Sequence, residues 1–123
     1  MTRWLIAFAF TQVVECPIWV AALRRGARSE ASRRKPWALL GIAFGASLIT
    51  HPIVWFVIPH LWLAVHQAGG YWGMVTAAEA FAVIVEAEYA SGFGLRQAWA
   101  WSLGANAASF GLGLLSRSVL GLP

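Results

Sequence analysis

Residues 37–59 read WALLGIAFGASLITHPIVWFVIP, a run without a single Asp, Glu, Lys or Arg. At about 1.5 Å of rise per residue, a helix of that length crosses the roughly 30 Å hydrocarbon core of a bilayer. Stretches of similar character lie on either side of it, at 4–23, 72–91 and 98–117. Each is about twice as long as a membrane-barrel strand and lacks its alternating pattern, which argues against a sheet. The connections are short, so successive spans are expected to pack antiparallel. The fold expected is all-α: one domain over residues 1–123, a polytopic membrane protein built as an antiparallel bundle of four transmembrane helices.

Composition points the same way. Hydrophobic residues make up 59% of the 123 positions and charged residues only 11%, with a mean hydropathy of +0.65. A water-soluble domain of this size needs a larger polar shell than that. The single cysteine, Cys16, excludes an internal disulfide or a Cys-based zinc motif and reads as a small buried hydrophobe.

The basic residues set an expected orientation, because cytoplasmic loops are enriched in Lys and Arg. Arg24, Arg25, Arg28, Arg33, Arg34 and Lys35 fall in the loop 24–36 and Arg96 in the third connection, leaving only Arg3 and Arg117 for the other side. The loop 24–36 is therefore expected in the cytoplasm and both termini outside, in a multi-pass protein of the cell inner membrane. A signal peptide is the competing reading of the first span. Its charge follows the apolar run instead of preceding it, and Glu15 and Pro17 interrupt the run, so a retained span is expected. Six basic residues beside a membrane favour anionic lipid headgroups of the inner leaflet. With no aromatic or fold motif accompanying the charge, no nucleic-acid partner is expected.

Function is sought where hydrocarbon makes polar groups costly. Glu15, Glu79, Glu86 and Glu88, all but one of the chain's acids, lie inside the apolar stretches. A carboxylate at the bilayer centre costs about 2.5–3.5 kcal/mol on insertion scales, so it persists when paired, protonated or turned toward a polar interior. Each span also carries one polar stripe at helical spacing: Thr11, Gln12 and Glu15; Ser47, Thr50 and His51; Thr76, Glu79 and Glu86; Ser102, Asn106, Ser109 and Ser116. Taking the middle of each span as the midplane puts Glu15, His51, Glu79 and Asn106 within about 5 Å of it and Glu86 about 7 Å toward the cytoplasm. These five are the candidate residues for binding a substrate or ion in a shared pocket.

Pro17 and Pro52 each remove a backbone donor, and the Thr50-His51-Pro52 sequence admits either a broken helix or a kink. Carboxylates with a histidine suit a proton or cation. The chain has no Glu-x-x-His pair of the di-iron kind and no His-Glu-x-x-His, so no metal is specified, and no cofactor fingerprint is present. Gly41 and Gly45 form a GxxxG pair, and Gly104, Ala105, Ala108, Gly111 and Gly113 crowd the last span, which serves close packing within the bundle or between copies.

The stretch from Glu79 through Val85-Glu86, Ala98, Ser102-Leu103, Ala105-Asn106-Ala107 and Ser109 to Gly113, with Thr50-His51-Pro52 upstream, resembles a pattern found in small uncharacterised prokaryotic integral membrane proteins. There the upstream element often reads Thr-Asn-Pro, and His51 takes the place of the amide. The resemblance covers about half the chain, implies the four-span fold and the importance of Glu79, Glu86 and Asn106, and implies no reaction. The leading expectation is an oligomeric transporter or conductor of a proton, cation or small solute, as a homo-oligomer or with a partner membrane protein. The alternatives are an accessory subunit whose polar seam packs helices, and an intramembrane enzyme, which lacks a recognisable nucleophile.

Overall fold

The structure is a computed structural model in which residues 2–28, 33–65 and 69–120 are described. It is all-α, with helices α1 (Thr2–Gly26), α2 (Pro36–Pro52), α3 (Ile58–Val65), α4 (Gly70–Gly92) and α5 (Ala98–Leu120). The residues Ile53–Val57 between α2 and α3 form a π-helical turn, so the three segments make one continuous rod and the fold has four rods in all. The rods pack as a closed ring in the order α1, α2, α4, α5, with α5 returning to α1.

Local chemistry explains the boundaries. Pro36 sits in the first turn of α2, where a missing N–H costs nothing. Gly69, at φ 81°, supplies the left-handed backbone that leads into α4. Pro17 lies inside α1 without ending it. At Thr50-His51-Pro52 the chain does not break. Instead, the rod opens into a wide turn whose end is marked by the Ile58 N–H bonding to the Ile53 carbonyl, five residues back. Pro52 has no N–H to give, and a π turn keeps the following donors paired despite that gap.

The apolar core occupies one end of the ring, next to the connection 24–36. Trp19, Leu23, Leu39, Ala43, Ala90 and Leu95 meet there, each almost fully buried. The two connections at that end are joined through the backbone: the Arg28 N–H donates to the Gly94 carbonyl at 3.1 Å, and the Arg96 N–H to the Gly26 carbonyl at 3.0 Å. Gly94, at φ 85°, makes the turn this requires. Arg34 is partly committed as well, its guanidinium lying 5.2 Å from the centre of the Phe93 ring.

Outside the ring, large apolar side chains stay exposed along every rod, among them Val13 (74% exposed), Leu63, Ile84 and Leu103. The helices Thr2–Gly26 and Pro36–Ala64 are long and apolar enough to cross a membrane. Helices α4 and α5 match them closely in length at 23 residues each, and α4 carries the three acids Glu79, Glu86 and Glu88.

Candidate functional site

Two glutamates tie the ring together. Glu15, on α1, accepts hydrogen bonds from Ser47 Oγ of α2 and Ser109 Oγ of α5, both at 2.5 Å. Glu86, on α4, accepts from Thr50 Oγ1 of α2 at 2.7 Å and Asn106 Nδ2 of α5 at 2.8 Å. Each side of the ring is thus bridged by one bond to a carboxylate oxygen. Burial follows: Glu15 is 2% and Glu86 1% exposed. The donors are held in turn by their own helices. Asn106 spends its second N–H on the Ser102 carbonyl at 3.0 Å, and Ser102 Oγ reaches across to the Val83 carbonyl at 2.8 Å.

Above this floor lies a cavity of about 230 Å³. It runs toward the end of the ring opposite the apolar core, past Phe10 of α1, Trp55 of the π turn and Phe110 of α5, to Arg117. Arg117 is exposed; it stands eight residues, or about 12 Å along α5, beyond Ser109. The cavity is a one-sided vestibule, because the other half of the ring is filled by Trp19, Leu23, Leu39 and the small side chains packed with them.

All five residues singled out from the sequence line this space: Glu15, His51, Glu79, Glu86 and Asn106. Their situations differ. Glu15 and Glu86 have both oxygens engaged. Glu79 is half-buried and takes no part in the network. It precedes Glu86 by seven residues, about 10.5 Å nearer the open end of the cavity. His51 is only 8% exposed, and its Nδ1 is buried without a hydrogen-bond partner among the described residues. Its ring packs against Phe8 at 5.1 Å and stacks on Trp55 at 6.0 Å.

The stripes are brought in only partly. Ser47, Thr50 and Ser109 line the cavity, as does Thr11, whereas Gln12 turns to the Phe44 carbonyl at 3.4 Å and Ser116 to its own Gly113 carbonyl. Thr76 is exposed and bonds back to Trp72. Glu88 faces outward. His60 Nδ1 lies 2.6 Å from the Phe56 carbonyl of its own helix, away from the site, and His66 lies outside the described residues. Arg117 and Trp55 are lining residues that the sequence reading assigned no part in the site. Arg117 lies eleven residues past Asn106 on the same helical face, so its register was present in the sequence, but an arginine near a span end reads first as a topological charge.

Among the described residues, no three His, Cys, Asp or Glu side chains are close enough to hold a metal ion together. What the vestibule offers instead is one uncommitted carboxylate, one unpartnered imidazole and apolar walls. No protein-family model matches the chain, and no curated protein or solved structure matches it either.

Proposed function

We propose that the chain is a four-span integral membrane protein, with both termini outside and the loop 24–36 in the cytoplasm, whose vestibule binds a small positively charged solute or proton during transport. The observation that carries this reading is the convergence of Glu15, His51, Glu79, Glu86 and Asn106 on one cavity that extends from the middle of the ring away from the apolar core. Support for the membrane setting comes from the exposed apolar side chains along the rods, which hydrocarbon accommodates and water does not. Alternating access needs a binding site near mid-depth, closed to one side at a time, and discontinuous or widened helices recur beside such sites. The π turn after Pro52 has that position, with Trp55 on the cavity wall. In a homo-oligomer each copy would bring its own vestibule, since the ring closes within one chain.

The accessory-subunit reading draws on a different observation, the four bonds by which Glu15 and Glu86 join the rods. It accounts for those two acids and leaves Glu79, His51 and the cavity without a task, so it ranks second. The test is flux in proteoliposomes: protein reconstituted with a pH-sensitive or sodium-sensitive dye inside, driven by an ion gradient. Transport by the wild type that disappears in Glu79→Gln supports the reading. Equal rates in wild type, Glu79→Gln and protein-free vesicles reject it.

A further inference from the structure

The vestibule's chemistry narrows the class of ligand, an argument that rests on the binding reading above. Three glutamates face the cavity and its one guanidinium stands at the outer rim, so an anion finds only repulsion at depth. An inorganic cation is poorly served too. It needs several oxygens turned toward it, but those of Glu15 and Glu86 already face hydroxyl and amide donors. No described trio of acidic, histidine or cysteine side chains gathers closely enough to coordinate one. A proton alone leaves most of the space unused. The cavity, about 230 Å³, has room for several water-sized groups and so for a small organic molecule.

The remaining features are complementary to a small organic amine. Glu79 is the carboxylate without a partner in the network, and it lines the same cavity as Phe10, Trp55 and Phe110. Aromatic walls take up hydrocarbon and also attract a cation through their ring faces. His51 adds a polar ring to the same wall: it lines the cavity and is more than nine-tenths buried, with Nδ1 sealed in its packing against Phe8 and Trp55. We propose that the vestibule binds a small aryl- or alkylammonium ion, its ammonium group on the Glu79 carboxylate beside His51 and its hydrocarbon against Phe10, Trp55 and Phe110.

The experiment is calorimetry on the full-length protein in lipid nanodiscs, with phenethylamine as the cationic probe, phenethyl alcohol as its neutral counterpart and sodium chloride as the inorganic arm. Phenethylamine should bind saturably and phenethyl alcohol should not. Glu79→Gln should weaken the amine by roughly tenfold or more, because truncating one partner of a desolvated charge pair is costly. Phe110→Ala should weaken it as well, and Glu79→Asp should retain part of the affinity. Melting curves on each variant check that the bundle is intact. Binding of the alcohol as tight as that of the amine overturns the proposal, as does undiminished amine binding in Glu79→Gln or a complete absence of amine binding. Saturable sodium binding with a silent amine would sink the organic-cation inference and leave the vestibule reading standing. Loss of flux dependence on Glu79 would remove both.

Discussion

Ser109 Oγ donates to Glu15 Oε1 at 2.5 Å across a separation of 94 positions, and that one bond joins the last helix to the first. Its counterpart on the other side is the bond from Asn106 to Glu86. Between them the two acids engage all four rods, so the residues that are hardest to bury are also the ones that fix which helix stands beside which. The arrangement frees Glu79, which lines the same cavity nearer its open end and has no bridging duty.

Removing the donors should expose that division of labour. Each of Ser47→Ala and Ser109→Ala is expected to cost about 0.6 kcal/mol, the average for interhelical hydrogen bonds in membranes, and at most about 1.7 kcal/mol. The double variant should cost more than the sum, because it leaves Glu15 buried with neither donor. Unfolding equilibria in mixed micelles measure this, and additive or negligible losses would show that the bonds do not hold the ring.

The acids themselves should respond unequally. Glu86→Ala removes the acceptor for Thr50 and Asn106 together: one buried Asn106 N–H loses its partner at about 1–3 kcal/mol, and the Thr50 hydroxyl falls back on the longer bonds to the Ala46 and Ser47 carbonyls. Glu79→Ala breaks no bond of the network. Thermal melting should therefore fall clearly for Glu86→Ala and stay near wild type for Glu79→Ala, while binding shows the opposite ranking. Equal melting shifts would contradict the separation of structural from binding acids.

A similar contrast holds at the paired glycines. A side chain added at Gly45 meets the Tyr89 hydroxyl, whereas one added at Gly41 meets nothing nearby. Gly41→Leu is expected to be well tolerated by the bundle, and Gly45→Leu to cost about 1–3 kcal/mol through overpacking between α2 and α4. Comparing the two melting temperatures in the same micelle decides it; a larger loss at Gly41 would assign the close approach to a contact between copies instead.

These contrasts mark how far the sequence could be read. The four helical segments were legible because long apolar runs specify them, and the inward stripe was legible because positions three and four apart share a face. Pairing was not. Whether Ser109 meets Glu15 or Glu79 depends on the relative rotation and height of two helices, which no single-helix pattern encodes. Gly41 and Gly45 looked equivalent for the same reason. Pro52 announced a missing donor without saying whether the chain would kink, break or widen, and the π turn is one of several ways to re-pair the neighbouring groups. Arg117 was read only as a charge at a span end, although its register with Asn106 also suits the cavity it lines.

The proposed function requires a polar chamber inside a membrane-embedded ring, open to the outside and sealed toward the basic loop. Its most direct test is thiol accessibility in intact cells and in inverted vesicles, starting from Cys16→Ser. In that background Gly113→Cys, on the cavity wall beside Phe10, should react with a membrane-impermeant maleimide added outside. Ala46→Cys, in the sealed half, should stay unreactive from either side. Labelling of Ala46→Cys from the cytoplasmic side, or of Gly113→Cys from that side alone, would contradict it.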